Sequence, residues 1–334
     1  MTTTNLQNKM KKSMVLFFIG MAGCGKTTLV SRISFDLSSH KKSHFIINLD
    51  PATQNIPYLA NIDIRDTINF KKVMKDYLLG PNGAILTALN LFSTRFDQVL
   101  NIVKKKSRII EFILIDTPGQ IEIFTWSASG SIITESFSKN FPALMFYVID
   151  SARTVNPITF VSNILYSCSI LYKTRLPLVL ILNKIDITSI DFLREWLSDN
   201  ESFDRALEEE KFFAGSFARS LSLAIDVFHK KIPFLNVSAV SGTGSPNIIK
   251  CLYRIWKEFS KEFQSELENT LFNFLNRIEI RLKKKKRSNF SLKKKKNSEK
   301  TSDPRDGPDN FLKVYEYIAY IHLENDKVYS IKRN

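Results

Sequence analysis

Residues 14–27 read "MVLFFIGMAGCGKT", an apolar run that leads straight into the pattern G-x-x-x-x-G-K-[ST], with helix-forming text after it. Nothing else in the chain constrains the fold as strongly. A loop of this kind works only between the end of a buried strand and the start of a helix. There, glycines let backbone N–H groups approach phosphate oxygens, and the positive end of the helix adds to them. Gly20, Gly23, Cys24 and Gly25 supply the loop, Lys26 has the length to reach β- and γ-phosphates, and the hydroxyl of Thr27 is placed to bind Mg²⁺, with Thr28 beside it. Lys9, Lys11 and Lys12 ahead of the apolar run imitate a signal peptide, but the run reads as a buried first strand because it ends in the phosphate loop.

The rest of the chain repeats the alternation. Short apolar segments at 14–19, 44–49, 108–115, 143–149, 176–182 and 232–237 read as strands, and helical text fills 26–38, about 65–105, 156–173, 190–228 and 245–275. Strands that are apolar throughout, separated by helices, predict an α/β fold of the P-loop NTPase kind. Its sheet is mostly parallel with helices on both faces. The long second-to-third-strand connection leaves room for a helical insertion, and "GPNG" (80–83) falls inside it.

Composition narrows the setting. The 334 residues are 44% hydrophobic and 24% charged, as in ordinary globular chains. Three scattered cysteines without a CxxC pair speak for a reducing compartment and against a disulfide framework or zinc site. No apolar stretch reaches the length of about 18 residues that a membrane span needs. Of the net charge of +15, residues 277–334 carry +9 and residues 1–12 carry +3, which leaves +3 for the body. The expected division is a basic extension (1–13), a phosphate-loop domain (14–276), a basic disordered linker (277–310) and a closing apolar segment (311–334) without a readable role. The lysine runs at 283–286 and 293–296 suit an import signal, a nucleic-acid contact or a solvated linker, and sparse aromatic interleaving argues against a single-strand-binding platform.

Three further motifs follow in order. In "LIDTPGQ", Asp116 ends the third predicted strand as the second metal-site carboxylate, and Gly119 can turn its N–H toward a γ-phosphate. In "LNKID", the Asp186 carboxylate can accept from both the ring N–H and the exocyclic amine of guanine, where adenine offers the wrong edge; Asn183 and Lys184 can hold the loop and cover the base. In "VSAVSGTG", the N–H of Ala239 can meet the base carbonyl while Ser238 braces the loop; a plain strand-to-helix turn is the alternative. "INLDPA" sets Asp50 at the end of the second strand, either near Mg²⁺ and the attacking water or as a helix N-cap. Asn82 has two readings as well, a helix cap in a Gly-Pro turn or an amide held out for chemistry.

"GMAGCGKTT", "NLDPA", "NIDIRDT", "GPNG", "DTPGQIE", "FTWSASG", "LNKID" and "VSAVSGTG" stand in the order found in the GPN-loop GTPases, and the chain resembles that family over about residues 14–265. "NLFSTRFDQV", "FTWSASGSIITE" and "YSCSILYKT" look most like its first eukaryotic paralogue, which is associated with RNA polymerase II assembly and nuclear import. The resemblance implies Mg²⁺-dependent GTP hydrolysis in a dimer, with a paralogous subunit or a second copy as partner and RNA polymerase II subunits as clients. It also implies a cytoplasmic protein that shuttles to the nucleus. It makes Asn82 a residue inserted into the neighbouring subunit's γ-phosphate site, and Asp50, Gln120 and Glu122 candidates for orienting water. Cys24 stands where relatives often carry Ser, and only its backbone N–H is needed there. The competing reading is a nucleotide-regulated assembly scaffold in which hydrolysis is marginal.

Overall fold

The computed structural model describes residues 13–198, 200–208 and 232–255. Seven strands form one sheet in which every pairing is parallel: β1 (Met14–Gly20), β2 (His44–Asn48), β3 (Ile62–Asp63), β4 (Phe112–Asp116), β5 (Ala143–Asp150), β6 (Leu178–Asn183) and β7 (Phe234–Asn236). Their order is β3-β2-β4-β1-β5-β6-β7. The sheet is the P-loop α/β arrangement that the alternation predicts.

Burial explains why the strands are apolar throughout. In β1, Val15, Phe17 and Ile19 enter one core, while Met14, Leu16 and Phe18 enter the other. The second core is roofed by α1 (Lys26–Ser39) and by a helical stretch at 245–255. The first core is covered by α4 (Pro81–Ser93), α5 (Phe96–Lys106), α6 (Ile121–Thr125), α7 (Ala128–Ser138) and α8 (Pro157–Thr174). Phe17 lies 6.1 Å from Phe124 and 6.0 Å from Phe137, ring centre to ring centre, so the aromatic layer locks the middle of the sheet to α6 and α7.

The insertion between β2 and β4 carries α2 (Ile64–Thr67), α3 (Phe70–Asp76), α4 and α5, together with the two-residue edge strand β3. β3 is too short for a period-two pattern to reveal. The third predicted strand begins later than expected, because residues 107–109 form a turn with Ile109 exposed. α6 and α7, which no apolar periodicity announced, follow "DTPGQ" directly. Downstream, α9 (Asp191–Ser198) and α10 (Asn200–Glu208) occupy part of the helical text at 190–228. The extension 1–12, the linker 277–310 and the segment 311–334 lie outside the described residues; Ser13 is inside them, and its buried hydroxyl donates to the Ile110 carbonyl at 2.7 Å.

Among the described residues no helix is long and apolar enough to cross a membrane. Because all strands are parallel, their carboxyl ends share one edge of the sheet. β1 sits where the chain has filled one side through β2 and β4 and then fills the other through β5 to β7. That reversal opens a crevice at the carboxyl ends.

Candidate nucleotide site

Every motif residue that follows a strand reaches this edge. Gly20 ends β1, Asp116 ends β4, Asp150 ends β5, Asn183 ends β6, and Ser238 and Ala239 follow β7. The phosphate loop fits because its glycines have no side chain. A Cβ on Gly20 would run into the Val148 carbonyl, and Gly25 adopts φ 89°, a left-handed conformation that an L side chain enters at a cost. Gly25 is also the N-cap of α1 and offers no side-chain oxygen, and the first turn of α1 has no acidic residue. The opening amides of α1 therefore keep their donors and their partial positive charge for an incoming anion.

Lys26 is buried, and its ammonium donates to the carbonyls of Gly20 at 2.8 Å and Met21 at 3.1 Å, so the loop is wrapped around the charge that is to face phosphate. Burial of Cys24 pushes its thiol up, and the Lys26 charge only partly offsets this, so the side chain remains a neutral packing group. Met21, Ala22 and Gly23 form the exposed lip, Thr27 is half-buried and Thr28 is exposed. Gly119 brings its α-carbon close to this lip, since a Cβ built on it would lie 3.6 Å from that of Ala22.

The metal question turns on Asp116. Its carboxyl is almost fully buried at the end of β4. Oδ2 accepts a hydrogen bond of 2.7 Å from the Tyr58 hydroxyl, while Oδ1, though buried, finds no hydrogen-bond partner among the described residues. A buried carboxylate oxygen without a donor is costly unless a cation completes it. Burial pushes the Asp116 acid up to about 6; Tyr58, Thr27 and Lys26 pull it down, and Asp50 adds to the push. No cluster of three or more His, Cys, Asp or Glu among the described residues could hold a metal. The pair Thr27 and Asp116 thus suits Mg²⁺, which takes few protein ligands and completes its shell with phosphate oxygens and water.

On the base side, Asn183 ties three segments together. Its Nδ2 donates to the Cys24 carbonyl at 2.9 Å, and its Oδ1 accepts from the Ala239 N–H at 3.0 Å. The Ala239 amide, expected against the base carbonyl, is engaged in this tie; the Ser238 hydroxyl accepts from the Ser241 N–H at 3.1 Å within the same loop. Lys184, at φ 67°, donates to the Gly23 carbonyl at 2.8 Å and to Asp150 Oδ2 at 2.7 Å. Asp186 is exposed and its carboxylate makes no bond to the described residues, which leaves both oxygens open for a base.

The remaining candidates are arranged less directly. Asp50 folds back on its own loop, its carboxylate accepting from the Ala52 N–H at 2.9 Å and the Thr53 hydroxyl at 2.8 Å. No helix starts there, so the N-cap alternative gives way to a turn cap. Gln120 is the N-cap of α6 without a side-chain cap bond, and Glu122 accepts from the Tyr166 hydroxyl at 3.3 Å. Asn82 is not a cap: Gly80 holds that position, Pro81 opens α4, and Asn82 is the second helical residue, exposed and without a hydrogen bond to the described residues. Its amide is presented outward on a rigid helix start. Trp126 is half exposed and carries the Lys173 ammonium 4.7 Å from its ring centre.

Three site groups escaped the sequence reading. Asp150 had a signal, since it ends a buried strand just as Asp116 does. Arg65 clamps the loop after β2: it pairs with Asp63 at 2.7 Å and donates to the carbonyls of Thr53 and Gln54 at 2.9 Å each. Tyr58 left no sequence trace, being one aromatic in an irregular loop.

The family profile described as "Conserved hypothetical ATP binding protein" matches residues 18–258. GPN-loop GTPase 1 of Dictyostelium discoideum is 50% identical over 258 residues, which cover 77% of this chain and 65% of the relative. The same-named protein of Saccharomyces cerevisiae is 44% identical over 294 residues, covering 85% of this chain and 76% of the relative. The chain belongs to the GPN-loop GTPase family. It spans about two thirds of the Dictyostelium relative's length. A Pyrococcus abyssi GTPase crystallised in its apo form shares the fold, at a TM-score of 0.63 and 25% identity over 72% of this chain and 96% of that one. Paralogues named GPN-loop GTPase 2, as in Danio rerio at 32% identity, match 51% of this GPN-loop chain and 54% of their own length.

Proposed function

We propose that this chain hydrolyses GTP to GDP and phosphate with Mg²⁺, as one half of a dimer. The observation that carries the reading is the pairing at one sheet edge of a buried Asp116, one of whose oxygens has no partner among the described residues, with an exposed Asp186 that bonds to none of them. One suits a cation on the phosphates and the other a guanine edge. Mg²⁺, when bound, would neutralise charge on the phosphate oxygens. Lys26 and the amides of 23–28 would hold the phosphates, Thr27 and Asp116 the ion, and Asn183 and Lys184 the loops around the base. The chain's work is positioning and charge neutralisation, because phosphoryl transfer asks little covalent chemistry of the protein. Gln120, Glu122 and Asp50 are proposed to orient the water. Asn82, held outward at the start of α4, is proposed to enter the neighbouring subunit's γ-phosphate site and stabilise developing charge there.

The partner is proposed to be a GPN-loop GTPase 2 paralogue or a second copy. The output is a switch, ordered by GTP and loosened by hydrolysis, used in RNA polymerase II assembly and import by a cytoplasmic protein that shuttles to the nucleus. Single-turnover hydrolysis of GTP and ATP by the full chain, alone and mixed with the paralogue, tests the enzymatic part. GTP should turn over faster with the partner present, and Asn82→Ala should remove most of that gain. Unchanged turnover in the Asn82→Ala dimer would end the in-trans role, and equal use of ATP would end the guanine reading.

A further inference from the structure

We propose that Tyr58 is a positioning residue for the metal site, fixing the Asp116 carboxylate so that one oxygen stays turned toward the ion. The inference rests on the magnesium-dependent reading above and adds a residue to it. Tyr58 lies in the irregular segment between Asp50 and β3, yet it is buried and packed into the same core as Leu114 of β4 and Leu29 of α1. Its ring is thereby held, and its hydroxyl donates to Asp116 Oδ2 at 2.7 Å. The bond occupies one carboxylate oxygen and leaves Oδ1 buried with no hydrogen-bond partner among the described residues. The bond favours one orientation of the carboxylate, as partners behind a metal ligand commonly do.

The anchor is itself anchored. The Ser31 hydroxyl on α1 donates to the Pro57 carbonyl at 2.9 Å, and Arg65 grips the carbonyls of Thr53 and Gln54. Tyr58 joins the anchored segment to the Asp116 carboxylate.

Tyr58→Phe keeps the ring and deletes only the donor. The test is calorimetric titration of Mg²⁺ into the full chain saturated with GDP, beside GDP affinity measured in EDTA. Tyr58→Phe should weaken Mg²⁺ about tenfold, the lower end of what loss of such a supporting partner costs. It should leave GDP affinity in EDTA unchanged. In an Asp116→Asn background the same substitution should add nothing further. Unchanged Mg²⁺ affinity in Tyr58→Phe would overturn the proposal, and so would equal weakening in EDTA, which marks general loop damage. A wild-type chain whose GDP affinity ignores Mg²⁺ would overturn the underlying reading instead.

Discussion

Asp116 carries a cost that the fold accepts for function. An acid whose folded pKa stands near 6, against an ordinary value of 3.8, stabilises the folded chain most when protonated, and that contribution is lost as pH rises from about 4 through 6. Asp116→Asn should therefore raise the melting midpoint in EDTA at pH 7 while abolishing the Mg²⁺ dependence of nucleotide binding; calorimetric melting beside a binding titration reads both. Asp63 behaves in the opposite sense. Burial raises its pKa, but bonds from Arg65 and Asn48 outweigh this and hold it below the ordinary value, so its stabilising effect is present above pH 4 and fades on acidification. Melting of Asp63→Asn between pH 5 and 3 should show less acid loss than the parent. At the base, Asp186→Asn replaces two acceptors with one and adds a donor, and competition binding should show GTP affinity falling on the order of a hundredfold. Lys26, Thr27, Asp116 and Asp186 were legible because each sits at a fixed offset from a strand end. Tyr58 and Arg65 were not, because irregular loops carry no period and their partners lie elsewhere in the chain.

At the level of elements, the phosphate loop and the start of α4 are built in contrasting ways. The loop is closed on itself through Lys26, Asn183 and Lys184, whereas the Gly80-Pro81 opening of α4 points Asn82 away from any described partner. Sequence chemistry could not choose between cap and outward amide, because Gly80, Pro81 and Asn82 are each good starting residues; only the frame of the helix decides. The same limit hid β3 and α6, elements too short for periodicity to register. The central strand was plain from its text, and its middle residue, Phe17, is fully buried between α6 and α7. Phe17→Ala would empty the space between α6 and α7 and should cost about 3–5 kcal/mol in urea unfolding, with nucleotide selectivity retained in the surviving folded fraction.

The whole molecule places exposed Leu86 and Leu91 on α4, with Ile132 on α7, on the same side of the sheet as the outward Asn82. Sedimentation of the full chain with a non-hydrolysable GTP analogue and with GDP should give a larger species with the former, whether by self-association or with the paralogue. The order of the strands has a consequence for synthesis as well. Asn183 reaches the Cys24 carbonyl across 159 residues, and the amide of Ala239 completes that joint only after β7 has been added at the far edge. A growing polypeptide therefore owns its glycine-rich turn long before it owns the staples that shape it. Arrest after Asp186 but before Phe234 should yield a chain unable to retain guanine nucleotide, so occupancy of the pocket would report that the last strand has docked.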